Sequence, residues 1–103
     1  FAYDSAVLSG ETQKELQLKA RWLTANPNIA VIIEGHTDER GTGAYNLALG
    51  DRRANSVKTF LVNLGISGTR MTTISYGEKK PVYMGQNEEA WAKNRRAEFK
   101  AVQ

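Results

Sequence analysis

Apolar residues recur at helical spacing in two stretches of the chain, the first of which follows Ser9. Ser9 is a suitable N-cap, and Asn26 disfavours the helical region because a proline follows it. The pattern therefore predicts a first helix over residues 9–25. Its core-facing residues lie three or four positions apart, as on one face of an amphipathic helix: Leu16, Ala20 and Leu23.

The second helical stretch lies between Thr42, a candidate N-cap, and Gly65, which can close a helix in the left-handed conformation. Gly50 has no side chain, so we expect the helix to pack close to the sheet at this point. Arg53 falls beside the apolar stripe, at its rim, whereas Arg52 falls on the solvent side. The stripe itself is predicted to consist of Leu47, Gly50, Ala54, Val57, Leu61 and Leu64.

Residues 29–33 are apolar throughout and mostly β-branched, which is typical of a central strand that is covered on both faces or nearly so. This strand is predicted to end at Glu34 and Gly35, where polarity rises abruptly. The other predicted elements are strands at residues 1–3, 71–76 and 95–102, a charged turn at 77–81 and a short helix at 88–91.

This order predicts an α+β fold, a two-layer sandwich of βαβαβ(α)β order with two main helices on one face of a mixed four-stranded sheet. The strand at 71–76 should run parallel to the central strand after a right-handed crossover. The 103 residues suffice for one domain. Because the chain begins with Phe1 rather than Met, we expect a domain from a longer protein, with any signal peptide or anchor upstream.

Composition narrows the kinds of site that the chain can form. It contains no cysteine, which excludes disulfides, zinc–thiolate sites and cysteine nucleophiles. The net charge of +3 favours anionic partners but is too small to indicate nucleic acid by itself. No run approaches the roughly 20 apolar residues of a membrane-spanning helix.

A polar, glycine-rich loop after the central strand carries the strongest candidate chemistry. Asp38 lies just past the strand end, and Arg53 lies on the second helix within reach of the same point. An arginine can bind a carboxylate through two parallel N–H···O hydrogen bonds, and an aspartate can bind an ammonium. The pair is therefore predicted to clamp a small zwitterion. The alternative is an ordinary surface ion pair, which contributes about 0–1 kcal/mol to stability.

Two other kinds of site rank below this clamp. Glu34, His36 and Asp38 alternate as the ligands of a metal-dependent enzyme would, although no further residue completes a coordination shell. A basic patch for nucleic acid would use Arg52, Arg53, Lys58, Arg95 and Arg96, but acidic residues interleave with it and no RNA-recognition signature accompanies it. The single histidine supports no hydrolytic triad. No activated nucleophile and no paired general acid and base can be assembled, so we expect no catalysis, and we assign no cofactor.

Several motifs, in the same order along the chain, resemble the OmpA-like peptidoglycan-binding domain. They are G-H-T-D-E-R-G at 35–41, Y-N at 45–46, L-G-D-R-R-A at 49–54, S-Y-G-E-K-K-P at 75–81 and N-R-R-A at 94–97. The resemblance covers essentially the whole chain. The E-R-G-T and L-G-x-R-R-A versions are most similar to a lipid-anchored branch of the family, with the porin and flagellar stator branches as alternatives.

This resemblance implies binding of the peptide stem of peptidoglycan through the free end of meso-diaminopimelate. Asp38 would take the side-chain ammonium and Arg53 the adjacent carboxylate. It also implies TolB as a partner and a place on the periplasmic face of the outer membrane of a Gram-negative bacterium, with the lipid anchor upstream of this chain. The other pocket residues that it implies are Tyr3, Asp4, Thr37, Arg40, Asn46 and Leu49.

Overall fold

The computed structural model describes residues 5–38, 40–79 and 97–102. The predicted strand at residues 1–3 and the predicted short helix at 88–91 lie outside the described residues. The described elements are helix α1 (Gly10–Ala25), strand β1 (Ala30–His36), helix α2 (Gly43–Asn63), strand β2 (Met71–Gly77) and strand β3 (Ala97–Val102), with a 3-10 turn at Gly68–Arg70.

Strand β1 is the central strand of the described sheet, whose order is β2-β1-β3. It runs parallel to β2 and antiparallel to β3, so its predicted central position and its parallel pairing with β2 are confirmed. The strand extends to His36, beyond the predicted end. It does so because Glu34 and Gly35 keep their register with both neighbouring strands, and these backbone hydrogen bonds do not depend on side-chain polarity.

Both helices pack on the face of the sheet that carries Val31 and Ile33. The three predicted core residues of α1 are all buried there. Ser9 caps α1 as predicted, since its Oγ accepts a hydrogen bond from the backbone N of Thr12 at 3.1 Å. Within the described residues, no helix is both long enough and apolar enough to cross a membrane.

The buried face of α2 differs from the predicted stripe at both ends. Leu47 is 37% exposed, and Leu64, which is the C-cap of the helix, is 42% exposed. Asn46, Leu49 and Arg53 are buried instead. The N-terminal half of α2 therefore packs its polar residues against the end of β1, which apolar spacing alone cannot predict.

Glycines allow α2 to approach the sheet closely, as predicted for Gly50. A Cβ atom on Gly35 would overlap the carbonyl oxygen of Gly50, and one on Gly50 would lie 2.9 Å from the carbonyl oxygen of Gly35. The two ends of α2 are also as predicted. Thr42 Oγ1 accepts a hydrogen bond from Tyr45 N at 3.1 Å, and Gly65 adopts a φ of 98° after the C-cap.

Candidate ligand-binding site

The loop that follows β1 is held at both of its ends. At its start, the backbone N of Thr37 donates a hydrogen bond to the carbonyl oxygen of Gly77 at the end of β2, at 2.8 Å. At its end, Thr42 caps α2. Gly41 between them has a φ of 98°, a conformation that favours glycine over other residues. The ends of two parallel strands and the start of a helix thus meet at this loop.

Asp38 is almost completely buried, with 3% of its surface exposed. Both of its carboxylate oxygens accept hydrogen bonds from Arg40: Oδ1 from the backbone N at 3.0 Å and Oδ2 from the guanidinium NH2 at 3.0 Å. The side chain of Arg40 is 29% exposed. A buried carboxylate is costly unless it is paired, and here its partner reaches it from the solvent side.

Arg53 is completely buried, at 0% exposure, so its predicted position at the rim of α2 is wrong. The buried face of the helix is centred closer to Arg53 than the apolar stripe indicated. The Nε atom of Arg53 donates to the carbonyl oxygen of Ser5 at 2.7 Å, and NH1 donates to that of His36 at 2.9 Å. These bonds tie the N-terminal segment to the end of β1. Neighbouring Arg52 is exposed, as predicted.

Asn46 connects the loops that follow β1 and β2. It is 1% exposed, and its Nδ2 atom lies 3.4 Å from the carbonyl oxygen of Asp38 and 3.2 Å from Oε1 of Glu78. Glu78 is 32 positions further along the chain, and sequence reasoning did not assign it to the site. Its place in the S-Y-G-E motif was the only signal that could have indicated it.

Asp38, Arg40, Asn46 and Arg53 line a small cavity of about 10 Å³, close to the space of a single water molecule. Six of the predicted site residues line it, while Tyr3 and Asp4 lie outside the described residues. Tyr45, which is 42% exposed, is an additional lining residue that the sequence reasoning had not assigned. Among the described residues, the lining consists of Thr37, Asp38, Arg40, Tyr45, Asn46, Leu49 and Arg53.

The metal-ligand set considered from the sequence is not the one that the structure brings together. Glu34 and His36 meet Glu98 of β3 instead of Asp38, with ligand atoms within 4.8 Å of one another. The Nε2 atom of His36 lies 3.3 Å from Glu34 Oε1 and 3.5 Å from Glu98 Oε2. The reason is strand pairing, because Glu34 and Glu98 are directly opposite in the antiparallel ladder. Asp38 lies beyond the strand and pairs with Arg40.

The predicted basic patch is also not assembled as expected. Arg53 points into the domain, whereas Arg52 is exposed and Lys58 is half-buried. Arg95 and Arg96 lie outside the described residues. Arg53 is therefore a component of the cavity wall rather than of a basic surface.

A mixed sheet with two helices on one face, and a charged cavity where its central strand ends, is the architecture of an OmpA-like domain. The chain belongs to the OmpA family, which matches residues 1–95. This confirms the family that the motifs of the sequence resemble.

Curated relatives of the chain are peptidoglycan-associated lipoproteins. The one from Agrobacterium fabrum is 48% identical over 97 residues, which cover 94% of this chain and 55% of the relative. The one from Pseudomonas putida is 48% identical over 100 residues, which cover 97% of this chain and 60% of the relative. The chain therefore spans little more than half the length of these relatives.

Solved structures share the fold over nearly the whole chain. The crystal structure of the peptidoglycan-associated lipoprotein from Burkholderia pseudomallei has a TM-score of 0.96 and 42% identity, and the match covers 99% of this chain and 86% of that one. The C-terminal domain of Helicobacter pylori MotB has a TM-score of 0.88 at 20% identity, covering 96% and 78%. The predicted α+β class, with two helices and a mixed sheet, is confirmed.

Proposed function

We propose that this domain binds peptidoglycan non-covalently and thereby tethers the outer membrane to the cell wall. The observation that carries the proposal is the Asp38 carboxylate, 3% exposed, in a cavity that it shares with the guanidinium groups of Arg40 and Arg53. Charged side chains are rarely buried to this extent unless they are paired. A concentration of them around one cavity is typical of a site that recognises a charged ligand.

The proposed ligand is the free end of meso-diaminopimelate in the peptide stem, which carries an ammonium and a carboxylate on one carbon. Asp38 takes the ammonium and Arg53 the carboxylate. Arg53 lines the cavity, while its Nε and NH1 atoms donate to the carbonyl oxygens of Ser5 and His36. The remaining described walls are formed by Thr37, Tyr45, Asn46 and Leu49. Tyr3 and Asp4 are proposed to complete the pocket.

The proposed setting is the periplasmic face of the outer membrane of a Gram-negative bacterium, with a lipid anchor upstream of this chain. The names of the relatives support it, since they are lipoproteins that associate with peptidoglycan. Identities of 48% and 42% to these proteins, against 20% to MotB, favour this branch over a flagellar stator. TolB as a partner in the Tol–Pal system rests on the resemblance of the motifs, whereas a role without catalysis rests on the residue types of the chain.

Calorimetric titration with muropeptides tests the proposal. We expect saturable binding of a stem that contains diaminopimelate, and loss of this binding in Asp38→Asn, which keeps the shape of the side chain but removes its charge. Arg52→Ala is the matched control, because Arg52 is exposed beside Arg53, and it should bind like the wild type. A lysine-containing stem lacks the second carboxylate and should bind about 30- to 1000-fold more weakly, equivalent to about 2–4 kcal/mol.

Two results would count against the proposal. If a folded wild-type domain bound no muropeptide, the chain would share the fold of the family but not the proposed binding. Equal affinity for the lysine and diaminopimelate stems would contradict the clamp, since Arg53 would then have no ligand carboxylate to recognise. Each variant needs an unfolding curve beside its titration, because the bonds of Arg53 also hold the domain together.

A further inference from the structure

We infer that Glu78 is a positioning residue for this site, because it fixes the orientation of the Asn46 side-chain amide. The carboxylate of Glu78 holds the nitrogen of that amide. The oxygen, Oδ1, is then left to accept a hydrogen bond from the ligand's ammonium beside Asp38. The inference rests on the proposed function, since it concerns the same cavity and the same class of ligand.

The first observation is the pair of contacts that the nitrogen of the Asn46 amide makes. Nδ2 lies 3.2 Å from Oε1 of Glu78 and 3.4 Å from the carbonyl oxygen of Asp38. A carbonyl oxygen only accepts hydrogen bonds, and so does an ionised carboxylate, so both partners require the nitrogen on their side of the amide. The contact with Glu78 is the shorter one, and hydrogen bonds to carboxylates are the stronger kind. Glu78 therefore contributes most to this orientation.

The second observation concerns the oxygen of the same amide. Asn46 is 1% exposed and lines the cavity. Its Oδ1 atom lies towards Gly41, 3.4 Å from the point that a Cβ atom on this glycine would occupy. Among the residues that the structure describes, none donates a hydrogen bond to Oδ1. The oxygen of a buried amide rarely lacks a donor, so a ligand that brings N–H groups into the cavity satisfies it.

The segment that carries Glu78 is held close to Asn46 by backbone contacts. Gly77 has a φ of 55°, and a Cβ atom on it would lie 3.2 Å from the carbonyl carbon of Asn46. The backbone N of Lys79 donates to the carbonyl oxygen of Tyr76 at 3.0 Å, which closes a turn around Glu78. The carboxylate is thus presented to the amide by the fold itself, before any ligand binds.

The orientation of the amide suits an ammonium. An ammonium has three N–H donors, of which the Asp38 carboxylate can accept one and Oδ1 of Asn46 a second. If the Asn46 amide were turned round, its own N–H donors would face those of the ligand, and no hydrogen bond could form. Glu78 therefore favours ligands that carry an ammonium at this position.

The test compares wild type with Glu78→Ala, using a diaminopimelate muropeptide and a counterpart that contains 2-aminopimelate instead. The counterpart keeps the terminal carboxylate and lacks the ammonium. We expect Glu78→Ala to lower the preference for diaminopimelate about three- to tenfold, the factor that one hydrogen bond contributes, without weakening the counterpart. Glu78→Gln should recover part of the preference. Asp51→Ala removes the same charge from an exposed position on α2, and it should bind both stems like the wild type.

A second comparison separates positioning from direct contact between Glu78 and the ligand. In an Asn46→Ala background, the amide that Glu78 orients is absent. Glu78→Ala should then cause no further loss of affinity for the diaminopimelate stem. A further loss as large as in the wild-type background would show that Glu78 acts without Asn46, and would overturn the inference.

The outcomes distinguish the inference from the proposed function. If Glu78→Ala keeps the wild-type preference, or weakens both stems equally, the inference is wrong and the proposed function stands. If the folded wild type does not bind the diaminopimelate stem, both are wrong. The ¹³Cγ signal of Asn46 in labelled wild type gives a measurement that needs no variant. It should shift on saturation with the diaminopimelate stem, because Oδ1 gains a donor, and an unchanged signal would overturn the inference.

Discussion

The backbone of Gly50 in α2 lies directly against the backbone of Gly35 in β1. A Cβ atom on Gly35 would overlap the Gly50 carbonyl oxygen, so a side chain at this position would push the helix away from the strand. Arg53 follows Gly50 by one helical turn and reaches the carbonyl oxygen of His36, the residue after Gly35, at 2.9 Å. The contact between the two glycines therefore sets the depth at which Arg53 enters the domain.

Alanine at either glycine should destabilise the fold. We expect Gly35→Ala and Gly50→Ala to lower the free energy of unfolding by about 1–3 kcal/mol or more, the usual cost of overpacking. Helix propensity alone would predict the opposite sign at Gly50, a gain of about 1 kcal/mol. Urea unfolding measures the change. Gly43→Ala, at the start of the same helix with no atom within 4 Å of the added Cβ, is the control and should not destabilise. A Gly50→Ala domain as stable as wild type would contradict the prediction.

Arg53 and Arg52 are adjacent in sequence but should differ strongly in their effect on stability. Arg53→Ala removes the donors to the carbonyl oxygens of Ser5 and His36, and each unsatisfied buried acceptor costs about 1–3 kcal/mol. We expect a loss of about 2–5 kcal/mol for Arg53→Ala and a change within about 0.5 kcal/mol for Arg52→Ala. Chemical denaturation of the two variants side by side checks this. Coincident unfolding curves would show that the bonds of Arg53 contribute little.

Asn46 and Glu78 should act as a coupled pair that orients the loop carrying Asp38. Asn46→Ala removes the amide that lies 3.2 Å from Glu78 Oε1 and 3.4 Å from the Asp38 carbonyl oxygen. We expect it to lower stability by about 1–3 kcal/mol and to weaken muropeptide binding several-fold. Glu78→Gln keeps an acceptor oxygen and should have a smaller effect. A double-mutant cycle with Glu78→Ala should give a coupling of at least about 0.5 kcal/mol, and strict additivity would contradict the pairing.

Removal of divalent cations should leave the domain unchanged. Nε2 of His36 lies 3.3 Å from Glu34 Oε1 and 3.5 Å from Glu98 Oε2, close enough to pair with these carboxylates in place of a metal ion. We expect the same unfolding temperature and the same muropeptide affinity before and after treatment with EDTA. If zinc raised the unfolding temperature of wild type but not of His36→Gln, the cluster would be a metal site and this prediction would be wrong.

Most of the described fold could be predicted because it depends on local signals. Ser9 and Thr42 cap their helices through side-chain oxygens, and the apolar run around Ile33 marks a central strand. Each of these signals acts within a few residues, so the sequence alone contains it. The strand end that was predicted least well is that of β1. Backbone pairing with β2 and β3 extends this strand through residues as polar as Glu34 and His36.

The candidate site was predicted in its composition but not in its geometry. The motifs pointed to Asp38 and Arg53, and both line the cavity. They could not show that Arg53 is completely buried, or that the carboxylate of Asp38 pairs with Arg40, two residues further along. Glu78 contacts the site through Asn46, which lies 32 positions earlier in the chain. No local sequence pattern can indicate a contact over such a separation.

By itself, the sequence determined the family, the order of the described helices and strands, and the kinds of charge available at the end of β1. These follow from residue type and from spacing within a few turns of chain. Only the tertiary structure decided which charges are buried, which are paired and how much room the cavity leaves. Burial and pairing depend on the contact of Gly35 with Gly50, and on the contact between the loops that follow β1 and β2. These segments are far apart in sequence, and together they exclude water from the charged side chains.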